Sequence, residues 1–131
     1  MNDKLQSLVE KLDNAQGRLR EALDQPKNDF LRDSAIQRFE FTFELFWKCL
    51  KSYCFVKGIR VHSPRDAIRS AFQLGLLTED EVWLAMLEDR NRTSHTYDDE
   101  TAEQIFDQLD RYHGAIVEVL SELKKQLDEL S

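Results

Sequence analysis

Apolar residues recur at intervals of three and four along almost the whole 131-residue chain, interrupted by only two prolines and four glycines. That spacing gathers them on one side of a helix, whereas the alternation expected of strands is weak throughout. With so few breakers the helices must be long. A chain of this length reads as one helical domain over residues 1–131, able to bury a real core.

The first helix is expected over residues 3–24, with an apolar stripe of Leu5, Leu8, Val9, Leu12, Ala15, Leu19, Ala22 and Leu23. Gln25-Pro26-Lys27-Asn28 ends it, because proline disfavours helix in the residue before it. A second helix starts near Asn28 or Asp29 and runs to about Lys57, with Gly58 as a left-handed stop. Its main stripe is Ile36, Phe39, Phe43, Phe46, Trp47, Leu50 and Cys54, while Phe41 and Leu45 project from nearly the opposite side. A helix with two apolar faces is either the centre of a bundle or a dimer-forming element. Glu40 falls inside the main arc, where a carboxylate is costly unless paired or near the rim, and is a candidate buried partner for Arg90 or another cation. Glu44, with Lys48 and Lys51 nearby, reads as a solvated ion-pair face.

Ser63-Pro64-Arg65-Asp66 is a helix start with Ser63 as cap, and the helix it opens ends at Gly75. Thr78-Glu79-Asp80-Glu81 is a second capping box, opening a fourth helix that carries Val82, Trp83, Met86 and Leu87 and reaches Arg90 and Arg92. After a loop over residues 94–98, a last helix is expected from about Asp99 to Leu130. The fold class is all-α: an up-and-down bundle of about five helices.

Composition narrows the function. A net charge of −7 is awkward for a protein that grips nucleic acid over its whole surface, since phosphate neutralisation supplies most of that affinity. Any phosphate chemistry is confined to a small basic site, such as one around Arg90 and Arg92. No apolar run has membrane-spanning length, and Met1-Asn2-Asp3-Lys4 lacks a signal peptide's apolar core. Cys49 and Cys54, five apart on a helix, point in different directions and are not expected to bond to each other, so a cytoplasmic location is the expectation. His62 and His113 are isolated, no glycine-rich phosphate loop exists, and no metal-ligand spacing occurs. Neither a metal site nor a cofactor is expected.

One segment is hard to explain by packing. Arg90-Asn91-Arg92-Thr93-Ser94-His95-Thr96-Tyr97 brings a fixed cation, an amide, an imidazole and a phenol to a helix end. Arginine matches phosphate oxygens bidentately, and histidine exchanges a proton near neutral pH, so the set suits work on phosphate esters. Each residue also has a plainer reading. Arg90 would cover the C-terminal carbonyls of its own helix, His95 would be satisfied by backbone, and Tyr97 would be a core phenol with its hydroxyl at the surface. Taken jointly, the functional reading is favoured.

Arg90-Asn91-x-x-x-His95-x-Tyr97 resembles the motif of the HEPN superfamily, small helical bundles with Arg, a polar residue and His. More closely, Arg38-Phe39-Glu40-Phe41-Thr42-Phe43-Glu44-Leu45, Ser63-Pro64-Arg65, and Leu87-Glu88-Asp89-Arg90-Asn91 with Ser94-His95-Thr96-Tyr97 resemble the nucleotidyltransferase substrate-binding family, related to the HepT toxins. The resemblance implies a homodimer pairing two Arg–His motifs in one cleft, with a minimal nucleotidyltransferase as cognate partner. It implies metal-independent RNA cleavage at that local site, silenced when the partner adenylylates Tyr97. His95 would then transfer the proton, Arg90 would stabilise charge on the phosphoryl group, and Asn91 would orient the site. Glu40, from its place in the apolar arc, and Arg92, from the local basic site, are supporting candidates whose roles the sequence leaves open. A competing reading is a non-catalytic substrate-binding or regulatory subunit; a purely structural helical dimer leaves the motif unexplained.

Overall fold

The computed structural model describes residues 2–78 and 81–130, and all of its regular structure is helical. Six α-helices follow one another: α1 (Asn2–Leu23), α2 (Asp29–Val56), α3 (Pro64–Gln73), α4 (Val82–Arg92), α5 (Asp99–Phe106) and α6 (Leu109–Leu130), with a 3₁₀ turn over Thr93–His95 between α4 and α5. Among the described residues no helix is long and apolar enough to cross a membrane.

Helix α2 is the centre of the bundle, packing against α1, α3, α4, α5 and α6. Asn28 caps it by accepting the Leu31 N–H at 2.8 Å. At its other end Gly58, at φ +87°, reverses the chain: its N–H donates to the Phe55 carbonyl and that of Ile59 to the Cys54 carbonyl. These two bonds satisfy carbonyls the helix leaves open, and a side chain at Gly58 would strain the turn. Phe39, Phe43 and Phe46 are fully buried along α2, each contributing roughly 1.5–3 kcal/mol by leaving water. Phe39 stacks on Tyr112 of α6, with ring centroids 5.5 Å apart, and Phe46 on Trp83 of α4, at 5.3 Å. The second apolar face of α2 is covered in part: Phe41 is half-buried beneath the Arg18 guanidinium, 5.1 Å from its ring centroid, and Leu45 packs on the core.

The expected stripe of α1 is buried at Leu5, Val9, Leu12, Ala15, Leu19 and Ala22, facing α2 and α6. His113 of α6 donates to Gln16 of α1 at 2.8 Å, and burial, followed by the Arg20 charge, holds its imidazole below the usual histidine range. Ser63 caps α3 as expected, accepting the Asp66 N–H at 3.2 Å. Gly75, at φ +84°, ends the turn that follows. Of the second capping box, Glu79 and Asp80 lie outside the described residues, and Glu81 stands at the start of α4 without a side-chain cap. Both cysteines are free and buried.

The expected last helix is two helices. The ladder closes at Asp107, whose N–H donates to Glu103, and at Gln108, whose N–H donates to Ile105; it restarts when the Gln108 carbonyl accepts from Tyr112. The break leaves Ile105, Leu109 and Tyr112 all buried, so α5 lies across α2 while α6 runs back along α1.

Candidate functional site

The last turn of α4 places Arg90 over α2. Its Nη2 donates to Glu44 Oε2 at 2.9 Å, and its guanidinium carbon lies 5.8 Å from the centroid of the Phe43 ring. The aromatic face and the carboxylate together fix the guanidinium while 34 % of the side chain still meets water. The expectation that Glu40 is its buried partner is corrected: Glu40 is exposed, and Arg90 reaches α2 one turn further along, at Glu44. The carbonyls at the end of α4 have other partners. Thr93 Oγ1 donates to the Arg90 carbonyl at 2.7 Å and Thr96 Oγ1 to that of Thr93 at 3.2 Å, so Arg90 does not serve as the cap of its own helix.

These threonine bonds shape the 3₁₀ turn that presents His95. The imidazole is exposed and stands edge-on to Tyr97, ring centroids 6.0 Å apart. Tyr97 is 85 % exposed, which rules out its reading as a core phenol. Asn91 is also exposed and accepts a long contact of 3.4 Å from Arg90 Nη1. Arg90, Asn91, His95 and Tyr97 are thus all reached by solvent, the first two in the last turn of α4 and the others in and just after the 3₁₀ turn that follows.

Arg92 is engaged within the fold. Its Nη1 donates to Asp89 at 3.0 Å and its Nη2 to Gln104 of α5, so the side chain ties α4 to α5. Asp89 is buried and also accepts the hydroxyl of Tyr112. Burial first, and then the Asp89 carboxylate, push the Tyr112 phenol above its usual range and keep it a donor. A buried carboxylate with two donors is satisfied; it joins α4 to α6, and Arg92 carries the tie on to α5.

A second brace holds the far side of the turn. Arg32 of α2 donates to Glu103 at 3.1 Å, Asp33 at 3.1 Å and Asp99 at 3.2 Å, which pins the start of α5. Lys27 adds a further bond to Glu103. Hydrogen bonds from Lys27 and then Arg32 hold the Glu103 carboxyl below the usual carboxylate range. Glu44, Asp89, Tyr112 and Arg32 were not picked out for the site from the sequence. Their only signal is a charged or phenolic group at helical spacing beside apolar positions, which many surface residues share.

The family described as nucleotidyltransferase substrate binding protein like matches residues 6–125. The chain belongs to that family. The family match encloses the whole Arg90–Tyr97 segment. A relative described as a probable ribonuclease HepT, from Haemophilus influenzae, is 36 % identical in an alignment 89 residues long that covers 64 % of this chain and 61 % of that protein. The chain thus spans less than two thirds of that relative's length. A crystal structure of a Thermus thermophilus protein is 40 % identical, with a TM-score of 0.81, covering 86 % of this chain and 98 % of the other. The Haemophilus influenzae protein HI0074, whose structure is described as revealing the fold of a substrate binding domain of a nucleotidyltransferase, is 28 % identical, with a TM-score of 0.69, covering 95 % of this chain and 99 % of the other. The all-α bundle of this substrate-binding family is therefore the fold of the chain.

Proposed function

We propose that this protein is the partner subunit of a minimal nucleotidyltransferase and a HepT-like endoribonuclease of a toxin–antitoxin pair, silenced by adenylylation of Tyr97. The observation that carries the reading is Arg90: fixed by Glu44 and Phe43 and a third exposed, with an exposed imidazole five residues on and an exposed phenol seven residues on. Such a cation meets a phosphodiester with little loss of freedom. His95 takes the proton of a ribose 2′-hydroxyl, whose oxygen attacks the adjacent phosphorus. The 5′-oxygen departs with a proton from the partner subunit's His95 or from water, leaving a 2′,3′-cyclic phosphate. Arg90 stabilises the charge that develops on the phosphoryl oxygens, and Asn91 orients them. The open face supports a homodimer, in which two such faces close one cleft; no metal is required by these steps.

In the silencing step the Tyr97 oxygen attacks the α-phosphorus of ATP, pyrophosphate leaves, and the partner enzyme takes up the phenol proton. The attached AMP then sets an anion against Arg90 and a base against His95. A second reading, a non-catalytic substrate-binding subunit, draws on the net charge of −7 and on the description of the HI0074 fold.

RNA incubated with purified protein in EDTA separates the two. Wild type is expected to cleave and His95→Ala to lose about 10²–10⁴-fold in rate. Equal cleavage by wild type and His95→Ala would discard the site, and no cleavage by unmodified wild type leaves the binding-subunit reading. Incubation with the nucleotidyltransferase and ATP is expected to add one adenylyl group by intact mass. Unchanged labelling of Tyr97→Phe removes Tyr97 as the acceptor.

A further inference from the structure

On the far half of α2 the surface changes character. A groove of about 560 Å³ lies between the start of α1, the C-terminal half of α2 and residues 59–62. Its lining includes Lys4, Lys48, Lys51 and Arg60, and no carboxylate. In a chain of net charge −7 such a gathering is a local reversal of sign. Among the described residues only Lys48 of these four has an ion pair, with Glu44 at 3.7 Å.

The apolar part of the groove is as informative as the charge. Phe55 is 47 % exposed on its wall, and the Arg60 guanidinium carbon lies 5.7 Å from the centroid of its ring. Lys48, Lys51 and Phe55 fall at helical spacing on one side of α2. The left-handed turn at Gly58 then brings Arg60 back across Phe55. Cations beside an exposed aromatic platform form the arrangement that holds a single nucleic-acid strand, phosphates on the lysines and a base on the ring.

We propose that this groove binds single-stranded RNA and leads it to the Arg90 face. The proposal rests on the ribonuclease reading above for what happens at that face, but the binding does not. Glu44 is the junction: it accepts from Arg90 at 2.9 Å and pairs with Lys48 at 3.7 Å. From Glu44 to Phe55 the helix advances about 17 Å at 1.5 Å per residue. A strand laid from Phe55 past Lys51 and Lys48 therefore approaches Arg90 along a line of cations broken by the one carboxylate of Glu44, which Arg90 and Lys48 share. The cations are spread along that line rather than converged on one point, which suits successive phosphodiesters over one compact phosphate group.

The test uses the purified full chain and a 2′-O-methyl oligonucleotide, which lacks the attacking hydroxyl, with binding followed by fluorescence anisotropy at several salt concentrations. Phe55→Ala is expected to weaken binding by about fivefold or more. The double variant Lys51→Ala with Arg60→Ala is expected to reduce the slope of log affinity against log salt by about 1.4, two single-strand phosphate contacts. Thermal melts check that both variants fold, since all three side chains are exposed. Unchanged affinity and slope in folded variants overturns the groove, as does AMP or ATP binding as tightly as the oligonucleotide. Groove-dependent binding without cleavage of the unmodified RNA sinks the ribonuclease reading alone. Cleavage with binding indifferent to both variants sinks the groove alone.

Discussion

Arg32 and Arg90 each join two helices through a carboxylate, yet their surroundings are opposite. Arg32 is 5 % exposed and has Asp33, Asp99, Glu103 and, at 3.7 Å, Asp29 around it. Its charge is more than neutralised, and the side chain is committed to holding α5 against α2. Arg90 has one carboxylate, Glu44, which it shares with Lys48. A third of it faces water, over the Phe43 ring. The first arginine has no charge left to offer a ligand, whereas the second keeps most of its own. What an arginine can do is set by the carboxylates it meets and by the water it keeps, not by its position at a helix end.

The sharpest way to break this comparison is to remove both guanidiniums in turn. Arg90→Ala is expected to reduce RNA cleavage by about 10²–10³-fold, the scale for losing one donor aimed at developing charge. Its melting temperature should barely move, because a partly exposed ion pair contributes about 0–1 kcal/mol. A large fall in melting temperature with normal cleavage would reverse the roles assigned. Arg32→Ala is expected to do the converse, lowering stability by about 1–2 kcal/mol in urea unfolding. The cost stays modest because its carboxylates lie toward the surface and rehydrate. Cleavage per folded molecule should fall far less than in Arg90→Ala; equal loss in the two would mean that Arg32 also faces substrate.

The smallest effect is the acid response of the braces. Glu103 has a lowered folded pKa, so its contribution is present above its ordinary value of 4.5 and is lost as pH falls through the lower folded value. His113 is held neutral by burial, so below its ordinary value of 6.5 the unfolded chain takes up the proton first and stability falls. Both act in the same direction. Melting temperature should decline in two steps on acidification, the upper removed in His113→Gln and the lower reduced in Glu103→Gln, since the Asp13 and Asp98 carboxyls are lowered as well. A profile unchanged by either substitution would show that these groups do not report on folding.

Much of the bundle is legible in the sequence because its signals are local. The stripe of α1, the Ser63 cap and the stops at Gly58 and Gly75 each follow from a few neighbouring residues. The break between α5 and α6 is not, since Ile105, Leu109 and Tyr112 keep helical spacing across it and no glycine or proline marks it. Glu40 and Glu44 show why the site was only half legible. Both lie at the rim of α2's buried arc, and periodicity assigns the face but not the turn at which α4 arrives. The burial of Asp89 depends on Tyr112, and the Lys4–Arg60 groove on a chain reversal; contacts so distant in sequence leave no local pattern. Arg90, His95 and Tyr97 could be singled out because they sit in one short segment.

The three tyrosines differ in what it takes to reach them. Tyr53 and Tyr112 are buried, and a reagent meets their side chains only in states where the bundle has opened. Tyr97 stands clear of the fold, so chemistry at its oxygen requires no such opening. Its rate is governed by encounter with whatever acts on it, independent of how stable the protein is. Removal of a group attached there would likewise leave nothing to refold.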